Sequence, residues 1–233
     1  MKPEIVIALD INLSKAEKIV RKAKKYGFKI FKIGHLLFST YPDIINSITC
    51  EGLKVILDLK FHDIPSVISK AIQRILKKYE IFALTVHSLG GKQMLKEVKK
   101  IVSEFQPKPI IFAVTILTSL TDNDLKSLGF KSKTTSTVLT LAKLAKECGI
   151  EGVVCSPKEV ELVKKTLGKD FLTLVPAVNL GNLSLQNDQK RLGTLEMALS
   201  SDYLVIGRSI YESEDIDKAL QSLYNLINKY RNK

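Results

Sequence analysis

Short runs of Val, Ile, Leu and Phe alternate along the chain with longer stretches in which apolar residues recur at helical spacing. The runs Ile5–Leu9, Lys29–Ile33, Val55–Leu59, Ile81–Val86, Ile110–Val114, Gly152–Val154, Leu172–Val175 and Tyr203–Ile206 predict strands. Each is apolar on both faces, which marks a parallel sheet covered by helices and not an antiparallel sheet with one wet side. Eight strand–helix units at about 29 residues each suit the βα repeat. The pattern predicts a (β/α)8 TIM barrel, an α/β fold, formed as a single domain over residues 1–233.

Helix signals fill the gaps. Ser14 is an expected N-cap for a helix running to about Tyr26 with Gly27 beyond it, and Ser156-Pro157 opens another with proline in its first turn. No Gly/Ser/Pro-rich linker breaks the alternation. The one long irregular stretch is Val178–Gln189, after the seventh strand, where a loop of that length is usually functional.

In such barrels chemistry sits at the carboxyl ends of the strands, so charge at those ends is informative. Strand one ends at Asp10, strand two carries Lys32, strand three runs into Asp58-Leu59-Lys60-Phe61-His62-Asp63, and strand eight exits into Gly207-Arg208. Alternation puts Asp58 and Lys60 on one side of their strand, facing the barrel axis if Leu57 and Leu59 face the helices. Lys32, Asp58, Lys60 and Asp63 at one rim would hold each ammonium between carboxylates and keep all four charged. A lone D-x-K pair also serves as a structural ion pair; four charged strand ends in apolar surroundings favour a catalytic network.

Composition narrows the class. With 45% hydrophobic residues in 233, the chain buries a sizeable core, which excludes disulfide scaffolds, collagen-like repeats and wholesale disorder. Cys50, Cys148 and Cys155 lack a C-x-x-C pair and read as buried thiols in a reducing compartment. The apolar run after Met1 is too short for a signal peptide and no stretch is long enough to cross a bilayer, so a cytoplasmic location is expected. A net charge of +12 invites nucleic acid, an acidic membrane or a phosphorylated small molecule. The lysines, as in Lys15 to Lys25 and Lys92 to Lys100, are scattered through helices with few aromatics between them, which reads as a solvated basic surface; neither nucleic acid nor membrane is expected as a partner. His35, His62 and His87 lack metal-site spacing and read as hydrogen-bonded rim residues, and no metal is expected. Gly90-Gly91 reads as a βα turn, since the rest of a dinucleotide fingerprint is missing.

The segment Asp58-Leu59-Lys60-Phe61-His62-Asp63-Ile64-Pro65 resembles the signature of the orotidine 5′-phosphate decarboxylase family. Supporting pieces occur in family order: Ala8-Leu9-Asp10, Phe31-Lys32-Ile33-Gly34, Thr85 to Gly91, Ala113 to Ser119, Asn187 to Arg191 and Tyr203 to Arg208. The resemblance covers nearly the whole chain. It implies conversion of orotidine 5′-monophosphate (OMP) to uridine monophosphate (UMP) and CO2 in pyrimidine biosynthesis, without a cofactor. It implies that Lys60 protonates C6 of the pyrimidine, that Asp58 sits against the departing carboxylate and orients Lys60, and that Asp10 and Lys32 hold ribose hydroxyls. By the same resemblance Asp63 reaches into the neighbouring site of a homodimer, Thr118 lies near the base, Gln189 links base and phosphate, and Gly207 with Arg208 binds the phosphate.

Two departures stand out. Pro176-Ala177-Val178-Asn179 replaces the usual bacterial Pro-Gly-Ile-Arg, so Asn179 supplies no second guanidinium to the phosphate, and Val67 replaces a threonine whose hydroxyl would reach the ribose across the dimer. The enzyme rival is a magnesium-dependent sugar-phosphate lyase or decarboxylase of the same suprafamily, which shares D-x-K-x-x-D but has a glutamate ligand where Lys32 stands. The rival from another class, a basic nucleic-acid-binding protein, calls for clustered cations with interleaved aromatics.

Overall fold

The computed structural model describes residues 3–176, 178–179, 191 and 193–231. Its strands are β1 (Glu4–Ala8), β2 (Ile30–Gly34), β3 (Lys54–Phe61), β4 (Ala83–His87), β5 (Ile110–Val114), β6 (Gly152–Val154), β7 (Leu172–Val175), β8 (Val178–Asn179), β9 (Gly193–Thr194) and β10 (Tyr203–Ile206). Eight of them close into a parallel barrel in the order β1-β10-β7-β6-β5-β4-β3-β2, and β8 pairs with β9 in a separate two-stranded sheet. The expected (β/α)8 barrel is the fold observed, with helices in the intervals between strands. Val178 and Asn179, the start of the expected loop, are therefore strand backbone; residues 180–190 lie outside the described residues.

Apolar side chains form two layers, as a barrel requires. One set, including Val6, Ile30, Ile56, Ala83, Phe112, Leu174 and Val205, fills the barrel interior. The alternate positions, among them Ile7, Phe31, Leu57, Leu59, Leu84 and Ile111, pack outward with the helices. Leu57 and Leu59 thus face the helices, and Asp58 and Lys60, one residue out of phase, face the axis.

The first helix shows how local signals set an element. Leu13–Lys25 buries Ala16, Ile19, Val20 and Ala23, a stripe at i, i+3, i+4 and i+7, and carries Lys22, Lys24 and Lys25 in its last turn, where cations meet the carbonyl end of the dipole. Its N-cap is Asn12, whose side chain accepts the Lys15 N–H at 3.0 Å, and not the expected Ser14. Asn and Ser cap about equally well, but only Asn12 has the extended backbone of a cap; Ser14 is already helical. Gly27 follows at φ +80, a conformation glycine reaches without a Cβ penalty. Ser156-Pro157 opens a 3-10 turn leading into helix Val160–Leu167, as expected. Cys148 and Cys155 are buried, but Cys50 is exposed at the C-terminal cap of helix Ile44–Thr49, which corrects the reading of three buried thiols. Among the described residues no helix is long and apolar enough to cross a membrane.

Candidate active site

The inward-facing positions at the carboxyl ends of β1, β2 and β3 carry an unbroken chain of opposite charges. Lys32 Nζ lies 3.0 and 3.1 Å from the two carboxylate oxygens of Asp10 and 3.2 Å from Asp58 Oδ2, and Lys60 Nζ lies 3.0 Å from Asp58 Oδ1. The parallel register explains the convergence: Ala8, Lys32 and Ile56 pair in one inward layer and Gly34 pairs with Asp58 in the next layer toward the rim, so the long Lys32 side chain reaches up to the Asp10 and Asp58 carboxylates. Space for Asp10 depends on Gly34, where a Cβ would stand 2.5 Å from Asp10 Oδ1 and 3.5 Å from Lys32 Nζ.

Lys32 and Asp58 are each 8% exposed, so both charges sit largely outside water. Burial alone would raise the Asp58 carboxyl, but the Lys32 and Lys60 ammonium groups overcome it and hold Asp58 well below the usual carboxylate range. Burial likewise opposes the Lys32 cation, and the carboxylates of Asp58 and Asp10 reverse the effect and raise its pKa. Lys32 and Asp58 both stay ionised because each of these buried charges has opposite neighbours.

The alternation expected from Lys32, Asp58, Lys60 and Asp63 is completed within one chain by Asp10 and not by Asp63. Asp63 is exposed and its Oδ1 accepts the Ile64 N–H at 2.7 Å, at the start of helix Pro65–Lys78. It shares with Lys60 the lining of an open cavity of ≈ 530 Å³. Exposed Val67 and Leu117 also line that cavity, and exposed Leu36 and Ile64 adjoin its lining residues His35 and Asp63.

Three further expected residues lie on the same rim. Gly207 follows β10 and is the N-cap of the short helix Arg208–Tyr211; a Cβ there would meet the Tyr211 ring at 3.2 Å and Ala8 Cβ at 3.3 Å. Burial raises the Tyr211 phenol, with the Asp10 and Glu212 charges adding to it and Arg208 and Lys32 opposing it. Thr118 is half-buried after β5, and Gln189 lies outside the described residues.

Thr85 and Arg191 have structural parts that motif reading did not single out. Thr85, fully buried on β4, donates to Asp58 Oδ1 at 2.8 Å and accepts the Lys60 N–H at 2.9 Å. The signal available was a hydroxyl at an inward position of an apolar strand. Arg191 is buried, donates from Nη1 to Glu159 at 2.6 Å and from Nη2 to the carbonyls of Ile116 and Leu117 at 2.5 and 3.2 Å, and its N–H meets the Thr118 carbonyl at 3.0 Å. Glu159 in turn accepts the Ser156 N–H at 2.7 Å. This cluster ties Arg191 to the β5 exit and to the turn after β6.

His62 and His87 stack with ring centroids 5.3 Å apart. Burial, then the His62 and Lys60 charges, lower the His87 pKa from 6.5 to about 4. Its Nδ1 accepts the Leu89 N–H at 3.3 Å, which a neutral ring permits. The unfolded chain takes up this proton near pH 6.5 while the folded one resists it, so stability is lost as pH falls from about 6.5 towards 4. The drop in melting temperature between pH 7 and 4.5 is therefore expected to be smaller in His87→Gln than in the parent, and equal drops would contradict this.

A sequence model of the orotidine 5′-phosphate decarboxylase / HUMPS family matches residues 3–223. A protein of Saccharophagus degradans named orotidine 5′-phosphate decarboxylase is 37% identical over 224 residues, covering 95% of this chain and 93% of that one. One of the same name from Syntrophus aciditrophicus is 41% identical over 194 residues, 80% of this chain and 77% of its own. The crystal structure of orotidine 5′-phosphate decarboxylase from Lactobacillus acidophilus superposes with a TM-score of 0.82 at 33% identity, covering 98% of this chain and all of that one.

Proposed function

The chain belongs to the orotidine 5′-phosphate decarboxylase / HUMPS family, and on that footing we propose that it is the decarboxylase, converting OMP to UMP and CO2 without a cofactor. The observation that carries the reading is the chain Asp10–Lys32–Asp58–Lys60, in which Lys60 is the terminal cation and shares a cavity with Asp63. In the proposed step the bond from C6 to the carboxylate breaks and its electron pair stays on C6. The Lys60 ammonium stabilises that charge as it develops and then passes a proton to C6, leaving a neutral amine that regains its proton from water. Asp58, held ionised, sits against the leaving carboxylate and fixes Lys60; Asp10 and Lys32 hold ribose hydroxyls. Gly207 and Arg208 bind the phosphate, Thr118 lies by the base, and Gln189 joins base to phosphate.

The magnesium-dependent alternative fits less well. Lys32 puts its ammonium between the Asp10 and Asp58 carboxylates, at 3.0 and 3.2 Å, so a positive charge already occupies the position between them and would repel a divalent ion. The direct test is the loss of OMP absorbance on mixing with purified protein, with and without EDTA. Turnover in both supports the reading; no turnover, or turnover only with added magnesium, overturns it.

Arg208 acts far from C6 in this scheme, so Arg208→Ala is expected to raise KM by about 100-fold, the value of one charged phosphate contact, with a smaller change in kcat. Unchanged kinetics would remove Arg208 from the phosphate site.

The homodimer belongs to the same proposal. Asp63 and the exposed apolar Ile64, Val67 and Leu117 around the Lys60 cavity fit a face covered by a second copy, with Asp63 completing the partner's site. Two-fold symmetry makes this testable. Lys60→Ala and Asp63→Ala chains are each expected to be nearly inactive. A mixed dimer has one site with both groups intact and one with both missing, and random exchange makes about half the dimers mixed. Activity should then recover to roughly a quarter of the parent after verified subunit exchange; no recovery would mean that Asp63 serves its own chain.

A further inference from the structure

Lys60 has a φ of +47 and is the one non-glycine residue with positive φ among those described. It falls where β3 loses register with β4, between Leu57 and Phe61, so the ladder between the two strands is interrupted there. A side chain of β4 takes its place: the Lys60 N–H donates to Thr85 Oγ1 at 2.9 Å. The Thr85 hydroxyl donates its own proton to Asp58 Oδ1 at 2.8 Å, the same oxygen that lies 3.0 Å from Lys60 Nζ. The direction of both bonds is fixed, because a backbone N–H only donates and an ionised carboxylate only accepts. Backbone amide, hydroxyl, carboxylate and ammonium therefore form a closed ring that begins and ends on Lys60.

We propose that Thr85 is a positioning residue that holds Lys60 in its left-handed conformation and so aims the ammonium; the proposal rests on the reading of Lys60 as the proton donor. Positive φ is unfavourable for a side chain with a Cβ and persists only where the surroundings over-determine it. A hydroxyl buried beneath the bulge supplies that constraint, and it couples the backbone of Lys60 to the carboxylate that orients its tip. An isosteric Val at 85 would fill the same space but leave the Lys60 N–H and Asp58 Oδ1 each short of a partner. The peptide then has no reason to stay in the left-handed region, and the ammonium shifts relative to C6.

The test compares Thr85→Val with Thr85→Ser, measuring kcat and KM per site counted by UMP binding, and hydrogen exchange of the amides around Lys60. The expected result for Thr85→Val is a kcat lower by about 10- to 100-fold with KM within about threefold, and faster exchange at Lys60. Thr85→Ser, which keeps the hydroxyl, should restore both. Unchanged kcat or unchanged exchange in Thr85→Val, or equal losses in the two variants, would overturn the proposal. The parent's own turnover of OMP is read in the same experiment, and its absence would sink the decarboxylase reading while the exchange comparison still reports on the hold that Thr85 exerts.

Discussion

Lys60→Ala is expected to lower turnover by at least about four orders of magnitude while leaving the fold intact. The substitution removes both the cation that stabilises charge at C6 and the proton that ends the reaction, so two contributions disappear together. Stability should change little, for reasons visible at the site. The Lys60 side chain is 35% exposed, so its removal opens no sealed cavity, and Asp58 keeps Lys32 at 3.2 Å and the Thr85 hydroxyl at 2.8 Å. Alanine also tolerates the bulge no worse than lysine does, since both carry a Cβ. Turnover by single-cycle assay, with circular dichroism as the control for folding, checks both halves; turnover within tenfold of the parent would end the proposed mechanism.

Arg191→Met is expected to have the largest effect on stability. Glu159 is 2% exposed, and its carboxylate would retain only the Ser156 contacts once the guanidinium is gone. Removing one partner of a buried pair leaves an uncompensated charge, a loss of about 3–5 kcal/mol. For a chain of this size that lowers the melting temperature by roughly 10 °C. The carbonyls of Ile116 and Leu117 also lose their donor, and Thr118 sits next to them, so substrate affinity should fall as well. Adding Glu159→Gln removes the stranded charge and should recover part of the loss, the non-additivity expected of residues in contact. A melting temperature within 2 °C of the parent would show that the pair is replaceable by water.

The barrel was legible in the sequence because both faces of each strand are buried, and that leaves an apolar run which no helix interrupts. Four strands, at Ile110, Gly152, Leu172 and Tyr203, begin where the apolar runs predict. β3 extends past its predicted end at Leu59 to Phe61, because pairing with β4 resumes after the left-handed Lys60, where Phe61 pairs with Val86. Asp10, Lys32, Asp58 and Lys60 could be read from charge at inward strand ends. That Asp10 and not Asp63 closes the chain depends on register across three strands and on the absent Cβ of Gly34, neither of which spacing along the chain encodes. Nothing at Lys60 announces a left-handed backbone, since no glycine or asparagine marks it, and without that bend the part played by Thr85 is invisible. Cys50 was misread for a simpler reason: burial frequency describes cysteines in general, and this one caps a short helix at the surface.

The four charges at the rim also sum to zero, so the chain's net +12 resides entirely outside them. Two electrostatic regimes follow, with different reach. Inside the rim Lys32 and Asp58 are buried and locked to their partners, and the field of the paired charges on a reacting atom is short-ranged and screened by salt much less than that of the surface. The surplus on the surface acts over a Debye length of about 8–10 Å and speeds the encounter with a negatively charged molecule. Ionic strength should thus govern how often a phosphorylated ligand arrives and leave what happens to it afterwards nearly untouched.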